Sequence, residues 1–321
     1  MKKYVLVSLV IIIFLVFLIS CSEDKDCDLN ADGTISVIEQ KICEGYVPAD
    51  QNVNNNSDET VPLSDTQEVS IDSNYIPDAF IVIHCEPGEN AKTTEEPEEY
   101  WSMLEDLVAF ADQYNFKLTL LFNPQWATYI LENDKLTEVR TWEANGHEIG
   151  VHHHGPSYGS LWNGYTDKSG YESNREYIGT IEDMMNLLNQ LPASGQVVTG
   201  GIAKEADEQY DYPDGILYDV EGTANGDILS TLTPIMISGH SVTQLTHKKF
   251  GQTEDQIFQG TPATVNDIAD ALIRAESGQV IGIIFHVHEF EEIKSDLEDL
   301  FELYSEKDVH VKSVKEIMIN Q

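Results

Sequence analysis

Basic residues are scarce in this chain. Eighteen lysines and arginines stand against 56 aspartates and glutamates, for a formal net charge of −38. A surface of that sign repels phosphate backbones, which argues against nucleic acid as a partner. Cysteine is scarce too, with four among 321 residues. Cys85 lies in an apolar run and reads as a buried thiol, whereas Cys27 and Cys43 bracket one short segment and could pair in an oxidising compartment. No internal repeat is visible. The one long apolar run, Tyr4 to Ile19, falls short of the roughly 20 residues that a spanning helix needs.

That run has a different reading. Lys2 and Lys3 precede it, and Leu18-Ile19-Ser20-Cys21 follows it, which is the layout of a secretory signal. The Leu-x-Ser-Cys ending resembles the lipobox of bacterial lipoproteins, in which the cysteine is acylated and becomes the new N-terminus. The resemblance implies removal of residues 1–20, a lipid on Cys21 and export. Ser22, Glu23 and Asp24 resemble signals that send lipoproteins to the outer membrane or cell surface.

Residues 21–46 form a compact acidic segment. Within it Asp28, Asn30, Asp32, Thr34, Ser36 and Glu39 stand at positions one, three, five, seven, nine and twelve of an EF-hand loop, and Gly33 stands at the turn position six. Calcium takes several oxygens. Here three side chains, the Thr34 carbonyl, Ser36 (directly or through water) and Glu39 would provide them. Residues 47–76 are rich in Asn, Asp, Ser and Thr, a composition that cannot bury enough apolar surface to fold and that predicts a tether.

From residue 77 to 321 short apolar strands alternate with amphipathic helices, which predicts an α/β domain with a largely parallel sheet. Its length suits a β/α barrel, typically about 250 residues. Strands are expected at 79–85, 117–122, 147–152 and 280–286, with weaker ones near 196–199, 216–219 and 234–238. Helices are expected at 96–113, 124–144, 177–190, 264–276 and 290–304. The first carries Leu104, Leu107, Val108 and Ala111 on one face, and the last carries Ile293, Leu297, Leu300 and Tyr304.

Polar residues cluster at the ends of these strands, where barrel enzymes place chemistry. They are His84-Cys85-Glu86, His152-His153-His154, a weaker Asp219-Val220-Glu221, and His286-Val287-His288-Glu289. Alternate residues of a strand share a face, so His84 with Glu86, His152 with His154, and His286 with His288 can converge. Imidazoles and a carboxylate at one mouth fit a zinc-class site.

Gly146-His147-Glu148-Ile149-Gly150-Val151-His152 resembles the second motif of the polysaccharide deacetylase (NodB-type) family, and motif order agrees over about residues 77–319. The resemblance implies a deformed β/α barrel and a metal-dependent hydrolase that removes acyl groups from a carbohydrate. It implies Glu86, His152 and His154 as ligands of a divalent transition metal, zinc first among them. It also implies His84 as base and His286 or His288 as acid. Three positions depart from the family pattern. His84-Cys85-Glu86 stands where the family has Asp-Asp, Pro156 stands where its second histidine ligand falls, and Thr199-Gly200-Gly201 replaces an Arg-x-Pro motif. Trp126, Tyr158, Trp162 and Tyr165 could stack on sugar rings or pack in loops. Two other readings stay open: a catalytically silent glycan-binding barrel, and another metal-dependent amidohydrolase.

Overall fold

The computed structural model describes residues 75–86, 95–203, 205–220, 226–251 and 261–320. All of them fall in the unit formed by residues 69–321. The expected secretory leader, Cys21, residues 28–39 of the expected calcium loop, Cys27, Cys43 and the expected tether up to residue 74 lie outside the described residues, as does Glu221.

Strand β1 (Ala79–Cys85) is buried on both faces, as an uninterrupted apolar run in a covered parallel sheet must be. It pairs in parallel with β2 (Leu118–Phe122) on one side and with β10 (Gln279–His286) on the other. The parallel order continues through β3 (Glu148–His154), β4 (Thr199–Ala203) and β5 (Tyr218–Asp219). One further stretch completes the ring. Its first part, β8 (His240–Gln244), runs parallel to β5, and its second part, β9 (Lys248–Lys249), runs parallel to β10. Segment 240–249 therefore spans from one side of the sheet to the other and nearly closes a barrel. Strands β6 (Leu229–Thr231) and β7 (Thr233–Ile237) are antiparallel additions on β10 and β8. The β7–β8 hairpin turns at Ser238-Gly239, both at positive φ, as a two-residue hairpin loop requires.

Seven helices among the described residues cover the outside: α1 (Glu95–Gln113), α2 (Pro124–Glu132), α3 (Leu136–Ala144), α4 (Ile181–Leu188), α5 (Glu205–Asp211), α6 (Val265–Arg274) and α7 (Phe290–Glu306); α8 (Val314–Ile319) packs instead on the inner core. Among the described residues no helix is long and apolar enough to cross a membrane. The helix expected over 124–144 is two helices. Asn133 caps the first on the Tyr129 carbonyl, and Asp134 turns left-handed at φ 57°. The strand expected at 196–199 lies further on, at Thr199–Ala203. Thr180 and Thr264 cap α4 and α6, each in a reciprocal bond pair with an aspartate three residues on.

Two apolar layers result. The outer one packs the helices on the sheet and includes Cys85, a free, buried cysteine. The inner one fills the barrel with Phe80, Val82, Leu121, Val220, Leu245 and Ile284, and α8 supplies Val314 and Ile317. Inward positions alternate along each strand. Continuing that alternation upward from Phe80 and Val82 brings His84 and Glu86 to the mouth. The same step brings His152 and His154 above Gly150. A Cβ at Gly150 would lie 2.3 Å from Leu121 Cδ2 and 2.7 Å from the Thr199 carbonyl oxygen, so only glycine fits.

His147 and Glu148, inside the family-like motif, sit at the opposite end of the barrel. The Leu118 N–H donates to His147 Nδ1 (3.0 Å), and His147 Nε2 meets Asp112 (3.2 Å). Glu148 accepts from the hydroxyls of Thr119 and Thr199 and from the Lys315 N–H. One buried carboxyl thus ties β2, β3, β4 and α8 together, and burial raises its pKa.

Candidate metal centre

Glu86 follows β1 directly and is buried in the mouth. Its Oε2 lies 3.1 Å from His152 Nε2 and 3.2 Å from His154 Nε2, and those two nitrogens are 2.9 Å apart. Its Oε1 lies 2.9 Å from His286 Nε2 and 3.7 Å from His84 Nδ1. The ring of His84 packs 3.9 Å from that of His152 and 5.3 Å from that of His286.

The Glu86–His152–His154 triangle fits a first-row divalent cation. Three donors about 3 Å from one another are spaced as ligands are around an ion with bonds of about 2.0–2.2 Å. His154 Nδ1 meets the Leu161 carbonyl (3.3 Å), which places the ring hydrogen on Nδ1 and leaves Nε2 as a bare lone pair. That lone pair faces a carboxylate oxygen, an arrangement of acceptor against acceptor that a cation satisfies. The carbonyl partner is the usual outer support of a ligating histidine. Tyr158 stacks flat on His154, with centroids 4.1 Å apart and planes 4° apart, and fixes the ring from its other side.

The electrostatics follow from burial and proximity. Burial alone would raise the Glu86 carboxyl, but His154 and His152, with hydrogen bonds from His152 and His286, hold it well below the usual range. Burial, then His152, pushes His84 well down. Burial lowers His154 to about 3 against the pull of Glu86. His286 goes the other way. Burial opposes its charge, yet hydrogen bonds to Glu289 and Glu86 raise it to about 9.

Behind His286 lies a charged pair: Glu289, from the same strand-end cluster, and Lys249, which the sequence did not single out. Glu289 Oε2 lies 3.1 Å from His286 Nδ1 and accepts from the His286 backbone N–H (2.8 Å). Glu289 Oε1 pairs with Lys249 Nζ at 2.8 Å, and Lys249 Nζ also lies 3.2 Å from His286 Nδ1. Burial favours the neutral carboxyl of Glu289, but His286 and Lys249 together hold it at about 2. Lys249 comes from β9 in the closing segment, in text that reads as a polar loop. His247, two residues earlier, is also buried, and burial and then His152 lower it to about 3.

Of the residues singled out in the sequence, His84, Glu86, His152, His154 and His286 meet within one cluster. His288 stands behind it. It stacks 5.2 Å from His286, its Nδ1 is buried without a partner among the described residues, and burial and then His286 lower it to about 4. Three aromatic assignments need correction. Trp126 is 0% exposed, Trp162 2% and Tyr165 8%, so none offers a face to a sugar. Trp126 packs between Trp101 and Phe122, and the Trp162 indole N–H donates to the Tyr165 carbonyl. Gly201 has a role that the sequence hid. A Cβ there would stand 3.1 Å from Leu121 Cδ1 and 3.2 Å from His152 Nδ1, so its bare backbone leaves room for the His152 ring.

No protein-family model and no curated protein matches the chain. Among solved structures it is similar to Puue allantoinase, with 15% identity over 75% of this chain and 88% of that one and a TM-score of 0.51. It is also similar to a protein described as a polysaccharide deacetylase from Mycobacterium smegmatis (13% identity, 76% and 90% covered, TM-score 0.49). A third is described as a polysaccharide deacetylase from Pseudomonas aeruginosa PAO1 (17% identity, 75% and 89% covered, TM-score 0.49). The likeness is one of fold, carried by the allantoinase: a mixed α/β, nearly closed barrel.

Proposed function

We propose that this chain is a metal-dependent hydrolase that removes acyl groups from a carbohydrate at the mouth of its barrel. The observation that carries the reading is the Glu86–His152–His154 triangle, with His84 and His286 on the second oxygen of the same carboxylate. Glu86 Oε2, His152 Nε2 and His154 Nε2 would hold the cation, with zinc the leading choice for one carboxylate and two imidazoles. Bound there, it would supply Lewis acidity toward water and toward the acyl carbonyl.

The chain's own groups handle the protons. His84, kept neutral by burial, accepts a proton at Nδ1. His286, charged between Glu86 and Glu289, donates one from Nε2 to the departing amine or alcohol. Of His286 and His288, the geometry favours His286 as the acid, because His288 is held neutral behind it. Glu289 accepts from the Nδ1 edge of His286 and is itself held by Lys249, an arrangement that aims the other ring nitrogen into the mouth.

The N-terminal segments extend the proposal. A lipid on Cys21 and calcium on the Asp28–Glu39 loop would hold the barrel at the outer membrane or cell surface, beside large acylated glycans. A competing reading is a barrel that binds glycan without turning it over. It is favoured by the neutral imidazole of His84, where the resembled family has a carboxylate. The deciding experiment measures acetate release from acetylated glycans by the zinc-loaded protein. Release abolished by Glu86→Ala supports the hydrolase, whereas glycan binding without release supports the silent barrel.

A further inference from the structure

Glu86 presents two oxygens, and the ligand triangle uses only one. The second, Oε1, has its own pair of imidazoles, His286 Nε2 at 2.9 Å and His84 Nδ1 at 3.7 Å, and the three ligand atoms lie within 4.8 Å of one another. We propose that this Oε1 side is a second, weaker site for a divalent transition cation, bridged to the first by the Glu86 carboxylate, and that filling it inhibits the enzyme.

Three observations carry the site. His286 Nδ1 lies against Glu289, whose carboxylate keeps a ring hydrogen on that side, so an incoming cation that displaces the other ring proton to solvent finds Nε2 already turned toward Glu86. A carboxylate behind a histidine is the usual outer support of a ligating ring, and here it comes from within three residues on the same strand end. His84 gives the second observation. Its Nε2 is buried with no partner among the described residues. In the metal-free ring the hydrogen on Nδ1 faces Glu86 Oε1, and a cation there would take its place, with the ring hydrogen on Nε2. The third is the bridge. Two ions on the two oxygens of one carboxylate sit about 3.5–4 Å apart, the usual spacing of two-metal sites.

The same geometry makes the site the weaker one. Its ion would feel the first ion across the carboxylate, and Lys249 Nζ stands 3.2 Å behind His286, only partly offset by its pairing with Glu289. One carboxylate and two imidazoles select zinc, cobalt, nickel or copper over calcium or magnesium. Inhibition follows from the roles already proposed, and this part rests on that reading. An ion on His286 Nε2 leaves that atom no proton to give, and an ion on His84 Nδ1 leaves no lone pair to accept one.

Calorimetric titration of the full metal-free protein with zinc, in excess calcium, tests the site without reference to turnover. The expected isotherm shows two equivalents, the second bound at least tenfold more weakly. His286→Ala, or independently His84→Gln, should abolish the weak step and keep the tight one, while His154→Ala should abolish the tight one. With cobalt, the paramagnetic signal gained at one equivalent should be diminished at two, through coupling across the carboxylate. Acetate release should rise through the first equivalent and fall through the second. A single equivalent, titrating alike in wild type and both variants, overturns the second site and leaves the deacetylase reading standing. No uptake at all overturns both. Two equivalents with activity undiminished overturns the inhibition.

Discussion

A buried carboxylate that meets an imidazole lone pair, with no proton between them, sets one acceptor against another. Glu86 is in that position, and the mismatch gives the first expectation at the scale of single residues. His152→Ala or His154→Ala should remove stoichiometric transition metal and lower acetate release by at least about a hundredfold. That exceeds the 10–100-fold cost of losing an outer-shell partner. Elemental analysis beside the activity assay checks it, and full metal retention by both variants would refute the ligand assignment. Glu289→Gln should lower kcat by about 10–100-fold with little change in KM, because it acts through His286. It also strands the buried Lys249 charge, so Glu289→Gln with Lys249→Met should regain thermal stability that the single variant loses, without regaining kcat. Gly201→Ala puts a carbon 3.2 Å from His152 Nδ1. It should weaken zinc binding while leaving the circular dichroism spectrum unchanged.

Among elements, β3 has opposite duties at its two ends. Its last residues reach the mouth, whereas Glu148 at its start ties the floor together. Glu148→Ala leaves three donors without their acceptor and should cost about 2–4 kcal/mol of stability, read by denaturant unfolding. The pH dependence has a definite sign. Because the folded pKa of Glu148 is raised, its contribution is full below the unfolded carboxyl value and declines as pH rises through the folded one. Glu148→Gln, which mimics the protonated acid, should therefore gain on wild type in Tm as pH climbs above the ordinary glutamate range. A difference that is flat with pH would contradict this.

Elements also differ in how legible they are. β1, β2 and β10 announce themselves because strands buried on both faces are continuous apolar runs, whereas β3, apolar only at Ile149 and Val151, is marked by its run of histidines. β4 hides behind Gly200-Gly201, which bring no side chain to an apolar pattern, although Gly201 is there to admit the His152 ring. The closing segment 240–249 is mostly polar text, His-Ser-Val-Thr-Gln-Leu-Thr-His-Lys-Lys, because part of it lines the mouth rather than the core. His247 and Lys249 were lost with it. The inward alternation of residues 84, 86, 152, 154 and 286 was visible in sequence, since a period of two survives even where the residues are polar. The buried tryptophans were misread because aromatics near a site serve packing as readily as recognition, and nothing local distinguishes the two.

At the scale of the whole molecule, two kinds of metal chemistry are expected in separate parts of the chain. The oxygen-rich 28–39 loop suits a hard cation and the histidine mouth a borderline one. Asp28→Ala should reduce calcium uptake by calorimetry and leave zinc stoichiometry unchanged, and loss of both together would contradict separate sites. With the lipid proposed on Cys21, Cys21→Ser should move the protein from the detergent phase to the aqueous phase. The central claim concerns one atom position. Anomalous diffraction at the zinc edge, from crystals of the zinc-loaded protein, should show a peak within about 2.2 Å of Glu86 Oε2, His152 Nε2 and His154 Nε2. A mouth with those three side chains ordered and no anomalous peak among them would contradict the account.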